Sequence, residues 1–273
     1  MTAPSTRMPD GKLRFGLPFL LQTRDAQEAA QLCSEHGLAF VELNTNFPPS
    51  LLHLLDAGEL QRLGNAHGCF FTLHLDDSLD PFNPNPLVRK ASVDTVLQAI
   101  RLAGQASMPV INLHFPRGNI VTLPDGRHYI YREYPEAFHQ ALASFRKVCG
   151  DAAGQSGVLL CVENTDGWQP YEQDAIDYLL ESPVFGLTLD IGHDDATGNH
   201  DLPFISARRS RLRHMHAHDG RGSTNHLALG TGTIPLDERF ALAASCNATV
   251  VLETKTKVAL AESVMHLKTN GWL

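Results

Sequence analysis

The stretch Gly186-Leu187-Thr188-Leu189-Asp190-Ile191-Gly192-His193 decides the fold. Apolar and polar residues alternate up to an aspartate, then glycine and histidine follow at once. That is a buried strand delivering a carboxylate at its C-terminal end. The same design recurs on either side. Val158–Glu163 closes on Glu163-Asn164, Leu212–His216 on His216, and Thr249–Glu253 on Glu253. Further back, Cys69–Leu75 carries His74 and Val110–His114 ends at His114. Two earlier strands, Leu13–Phe19 and Leu38–Leu43, complete a series of eight.

Between the strands lie amphipathic segments: Arg24–His36, Pro48 to about Gly64, Pro86–Gln105, Pro135–Ala153, Tyr171–Glu181, a weaker Pro203–Arg209, Leu236–Ser245 and Val258–Thr269. Eight strand–helix units imply a parallel sheet, and in one chain of 273 residues they predict a single α/β domain, a closed (β/α)8 TIM barrel over residues 13–273. A doubly wound sheet would carry a glycine-rich dinucleotide turn after its first strand, and Gly16–Thr23 has none. Residues 1–12 read as a polar N-terminal extension without an apolar run of signal-peptide length. Phe115–Tyr134 reads as one long structureless loop rich in Arg and Tyr.

Composition narrows the function. With 22 Lys and Arg against 30 Asp and Glu the formal charge is −8, a poor match to nucleic acid or an anionic membrane. The five cysteines are widely spaced and odd in number, which argues against a disulfide framework or a thiolate zinc site. No stretch approaches the ~20 apolar residues of a membrane span. The expectation is a cytoplasmic protein, with a homo-oligomer compatible. Histidine is abundant, at 14 residues.

In a TIM barrel the C-terminal strand ends converge on one face, where active sites sit. A lone polar strand end is ordinarily a satisfied core or surface group; six converging point to a site. Carboxylates mixed with imidazoles suit a divalent cation such as Zn²⁺, Mn²⁺ or Fe²⁺. Without one, Glu163, Asp190 and Glu253 would repel each other and raise each other's pKa. The bland alternative is a carboxylate–histidine network without metal.

These residues resemble the metal site of the xylose isomerase-like TIM barrels (AP endonuclease family 2), which include sugar isomerases, epimerases and endonuclease IV. The resemblance rests on Glu163 in V-E-N, Asp190 and His193 in L-D-x-G-H, His216 three residues before Asp219, Glu253 in L-E-T-K, and the H-x-x-L-G-x-G-x-I run His226–Ile234. It implies one cation on Glu163, Asp190, His216 and Glu253. From the endonuclease IV branch it adds His74, His114, His193 and His226 as ligands, giving one to three ions per chain. Thr224 stands where that branch has an aspartate, so a third ion lacks its anionic ligand.

In the isomerase reading Glu163 and Glu253 are the catalytic groups and His193 is a ligand or substrate contact; Arg117, Arg127 and Arg132 of the long loop and Lys255 beside Glu253 read as substrate contacts or as solvated surface charges. His214 would point inward one layer below His216, His218 would stand behind the ligands, and Asp219 reads as a loop residue more than a ligand. Three functions stay open. One is a metal-dependent sugar or sugar-phosphate isomerase or epimerase. Another is a di- or trinuclear hydrolase of a small phosphoester. The third is a metal-holding binding protein without turnover. Abasic DNA is disfavoured, because loops 20–25, 44–50 and 76–85 contain one arginine, Arg24, against Asp76, Asp77 and Asp80.

Overall fold

The computed structural model describes residues 13–154, 156–222 and 224–273, so the expected extension over 1–12 lies outside the described residues. Eight parallel strands close into a barrel: β1 (Arg14–Pro18), β2 (Phe40–Asn44), β3 (Phe70–His74), β4 (Val110–His114), β5 (Leu159–Glu163), β6 (Phe185–Asp190), β7 (Leu212–Ala217) and β8 (Thr249–Leu252). Each pairs with its sequence neighbours, and β8 pairs with β1.

The helices are α1 (Ala26–His36), α2 (Ala57–His67), α3 (Pro86–Ala106), α4 (Ile130–Glu133), α5 (Pro135–Ala153), α6 (Pro170–Leu180), α7 (Ile191–Ala196), α8 (Leu202–Ala207), α9 (Leu236–Cys246) and α10 (Lys257–Thr269). Their boundaries follow local chemistry. Asp25 caps α1 by accepting from the Glu28 amide, and Gly37 ends it in the left-handed conformation. The main apolar core lies between strands and helices, for example Leu17, Leu43, Leu73, Leu187 and Met215 against Ala30, Ile100, Phe145 and Phe240. Lower in the barrel the Phe40 ring fills the lumen; a Cβ at Gly16 would stand 2.6 Å from it.

Two sequence expectations need correcting. The segment Pro48–Gly64 is not one helix: a 3₁₀ turn covers Pro48–Ser50 and α2 starts at Ala57, because the Asp56 carboxylate caps the Glu59 amide. The 115–134 loop is not structureless: an antiparallel hairpin pairs Ile120–Leu123 with Gly126–Tyr129, and α4 follows. The weak helix Pro203–Arg209 is α8, with a 3₁₀ turn at Arg209–Arg211 after it. The sequence reading also missed α7, which Asp190 caps, and the hairpin of Asp219–Arg221 with Thr224–Leu227.

One irregularity positions the site. Between β6 and β7, Leu187 pairs with Leu212 but Thr188 pairs with His214, so Arg213 is an extra residue. A one-residue slip flips every following side chain to the other face. The bulge therefore turns His214 and His216 inward beside Thr188 and Asp190, while Leu212 stays on the helix-facing side with Leu187. Among the described residues, no helix is long and apolar enough to cross a membrane.

Candidate metal centre

Strand alternation puts Glu163, Asp190, His216 and Glu253 inside the C-terminal mouth. One ligand atom from each lies within 4.8 Å of the others, a spacing that a single cation could bridge. His216 Nδ1 stands 2.9 Å from Glu163 Oε1, 3.5 Å from Glu253 Oε2 and 3.9 Å from Asp190 Oδ2. Asp190 Oδ2 and Glu253 Oε2 are buried without a hydrogen-bond partner. Such groups are costly to leave unsatisfied, and a bound cation would satisfy them. The donor set fits Zn²⁺, Mn²⁺ or Fe²⁺ by its chemistry.

Beneath this cluster sits a residue that the sequence reading passed over. Glu42, from β2, is buried against two imidazoles. Its Oε2 accepts from His214 Nε2 at 2.9 Å, and its Oε1 lies 2.9 Å from His216 Nε2, though that N–H points off the oxygen. The strand Phe40-Val41-Glu42-Leu43-Asn44 carried the same signal as the others, an acid near the strand end, but Leu43 and Asn44 after it masked the pattern. Glu42 fixes the tautomers. With the carboxylate against both Nε2 atoms, each imidazole keeps its proton there. His214 Nδ1 then accepts from Thr249 Oγ1 at 2.6 Å, while His216 Nδ1 donates to Glu163 Oε1 at 2.9 Å a second proton that a bound cation would displace.

Glu163 is held from below. Thr188 Oγ1 donates to Asn112 Oδ1 at 2.6 Å, and Asn112 Nδ2 donates to Glu163 Oε2. On the same oxygen converge His74 Nε2 at 3.3 Å and His114 Nε2 at 3.4 Å. His74 Nδ1 donates to the Leu75 carbonyl at 2.7 Å, which leaves its Nε2 lone pair aimed at the carboxylate. Lone pair against lone pair needs a positive charge between them, either a proton or a cation. Asp77, exposed, lies 3.4 Å from His114 Nδ1.

The electrostatics express that need. Burial lowers the His74 pKa, but Glu163 overrides it and raises it to about 9. Burial also disfavours a charged His216, yet Glu163 and Glu42 hold its pKa well above the usual imidazole range. Burial pushes the Glu163 carboxyl up, and His216 and His114 more than reverse it. His214 behaves oppositely: burial dominates and keeps it neutral.

At the rim, His193 Nδ1 lies 3.3 Å from the Asn164 carbonyl and His226 Nδ1 lies 3.1 Å from the Glu253 carbonyl. Both keep a free Nε2. Burial lowers the His226 pKa to about 4. Thr224 is exposed and brings no carboxylate to this rim. Asp219 is a loop organiser: its carboxylate accepts from the amides of Gly220, Gly230, Gly232 and Ile234 at 2.8–3.1 Å. Lys255 Nζ reaches Glu253 Oε1 at 2.9 Å. Arg117 donates to the Gly167 carbonyl at 2.6 Å and lies 3.5 Å from Glu172. Arg127 is exposed on the hairpin, and Arg132 pairs with Glu133 at 3.1 Å.

Residues 28–269 match the model of the xylose isomerase-like TIM barrel family. A search of curated proteins finds no match. Similar solved structures include a D-tagatose 3-epimerase-like protein, with TM-score 0.76 and 20% identity over 94% of this chain and 96% of that one. Another is 3-keto-D-glucoside 4-epimerase from E. coli, with TM-score 0.75 and 15% identity over 94% and 100%. A third is a Thermus thermophilus protein soaked with ZnCl₂, with TM-score 0.65 and 22% identity over 95% and 99%.

Proposed function

The chain belongs to the xylose isomerase-like TIM barrel family, and from that premise we propose that it is a divalent-metal-dependent sugar isomerase or epimerase. The observation that carries this reading is the meeting of Glu163, Asp190, His216 and Glu253, one from or just beyond each of four strands, in a cluster of three buried residues and a half-buried Glu253. These four residues would hold the cation, which when bound supplies charge stabilisation to neighbouring substrate oxygens as a carbon acid ionises. Glu163 and Glu253 are the acid–base pair, one removing a proton at carbon and the other returning it. Asn112, Thr188 and Glu42 keep Glu163 and His216 in place during that exchange. His193 and His226, with free Nε2 atoms at the rim, accept hydrogen bonds from substrate hydroxyls. Lys255 orients Glu253, and its partly exposed ammonium can meet an anionic substituent. The structural relatives named above as sugar epimerases support the substrate class. A reducing, cytoplasmic setting is part of the same reading and agrees with five free thiols.

The second reading is a multinuclear hydrolase of small phosphoesters. It is favoured by His74 and His114 around Glu163 Oε2, a ready second cation site. Two measurements on the purified protein separate the readings. Elemental analysis should find one equivalent of Mn²⁺, Zn²⁺ or Fe²⁺ that is lost in Glu163→Ala, and ketohexoses incubated in D₂O should exchange a carbon-bound proton by NMR. Two or more equivalents, with phosphate released from a phosphomonoester and no carbon exchange, would move the assignment to the hydrolase. No retained metal after reconstitution would remove both.

A further inference from the structure

Three imidazoles, His193, His218 and His226, come within 4.8 Å of one another at their nearest nitrogens and look like a further cation site. The hydrogen bonding excludes His218 from that role. The His226 backbone N–H donates to His218 Nδ1 at 2.9 Å, a closer contact than the 3.3 Å between that nitrogen and the Asp219 carbonyl, so the lone pair belongs on Nδ1 and the proton on Nε2. A protonated nitrogen cannot be a ligand. That Nε2 faces an anion instead, Asp190 Oδ1, at 3.1 Å.

We propose that His218 is a positioning residue that occupies Asp190 Oδ1 and so leaves Oδ2 as the one oxygen that Asp190 offers to the metal cluster. Oδ1 already accepts from the Gly192 amide at 2.8 Å and the His193 amide at 2.7 Å as the cap of α7. His218 Nε2 stands 3.1 Å from that oxygen without a hydrogen-bond partner of its own, and rotation of the ring makes it the third donor there, while Oδ2 is buried with no hydrogen-bond partner. Saturating one oxygen favours one-atom coordination. That leaves more of the cation's positions for two substrate oxygens, so the inference deepens the isomerase reading and rests on it.

Two features keep His218 in place. Its ring lies over Gly192, where a Cβ would come 1.8 Å from Cε1, so only glycine at 192 leaves room for it. His226 is at φ 56°, a left-handed backbone, and its amide is thereby aimed at Nδ1. The chain of contact runs from the Thr224–Leu227 strand through His218 to Asp190.

The test has two arms. In the metal-free protein, long-range ¹H–¹⁵N spectra of the imidazoles, with His218 assigned by the signals lost in His218→Phe, should show the Nε2–H tautomer; an Nδ1–H tautomer overturns the proposal whether or not any metal binds. On addition of Zn²⁺, His218 should keep that tautomer; direct ligation of its Nε2 overturns the proposal. In the second arm, Mn²⁺ titration followed by electron paramagnetic resonance should show binding weakened about 10–100-fold in His218→Phe. His218→Gln, which keeps an N–H donor, should recover part of the loss. Unchanged Mn²⁺ affinity in a folded His218→Phe protein overturns the positioning role while leaving the isomerase reading intact. Absence of metal binding by the unaltered protein, with the expected tautomer, instead sinks that reading.

Discussion

Glu42 is the most informative residue to perturb, because it touches neither the mouth nor the substrate space and yet controls His216. Removing it as Glu42→Leu takes the acceptor from the buried His214 N–H and the neighbouring charge from His216, each 2.9 Å from a carboxylate oxygen. A buried donor left unsatisfied costs ~1–3 kcal/mol. The variant should therefore lose about 1–3 kcal/mol of stability through His214, or change tautomers to avoid it. A proton moved onto His216 Nδ1 removes that nitrogen as a ligand, and metal affinity should fall by about 100-fold, the upper end for an orienting partner. Glu42→Gln separates the two effects. Its carbonyl can face His216 and its amide His214, whose Nδ1 can then donate to Thr249 Oγ1, since a hydroxyl accepts as well as it donates. The His216 ligand tautomer survives and only the negative charge is lost, so affinity should fall by about tenfold, ~1.4 kcal/mol. The assay is competitive Mn²⁺ and Zn²⁺ titration of both variants, with urea denaturation of each. Equal metal affinity in the parent, Glu42→Gln and Glu42→Leu proteins would refute the argument that Glu42 sets the tautomer of His216.

Three further outcomes are expected. The metal-free protein should lose stability as pH rises: His74 has a folded pKa of about 9 against 6.5 unfolded, so its contribution is full below 6.5 and gone above 9, up to ~3 kcal/mol. Glu163, held low, acts in the opposite sense only in acid; denaturation with chelator at pH 6 and 9 reads the effect, and a flat profile would contradict it. Asp219→Asn turns an NH₂ toward amides that now donate to a carboxylate, and should cost about 2–4 kcal/mol with faster hydrogen exchange over 228–234; unaltered exchange there would show that another contact holds the loop. Gly192→Ala should cost at least ~1–3 kcal/mol through collision with His218, and adding His218→Ala should recover much of it in thermal melts. Independent, additive losses would place the clash elsewhere.

The barrel was legible because each strand repeats one rule, apolar residues leading to a polar end, and its helices bring caps such as Asp25 and Gly37 with them. Glu163, Asp190, His216 and Glu253 were legible for the same reason: a side-chain period of two fixes their facing once the strand is found. Other features depend on contacts across the barrel. The bulge at Arg213 is a matter of register between two strands, and neither strand alone contains it. Glu42 gains its meaning from imidazoles 172 and 174 residues away in the chain. The role of His218 follows from an amide on a hairpin invisible to periodicity, since Thr224–Leu227 is short and polar. The 115–134 segment misled because the first strand of its hairpin is exposed, the second is half so, and neither shows apolar alternation.

A cylinder without a free edge has a mechanical consequence. Every strand that carries a donor is laced to a neighbour on each side, so none of those backbones can retreat from the centre without tearing two ladders at once. The mouth should thus accommodate ions of different size by side-chain rotation alone, within the reach that fixed strand ends allow.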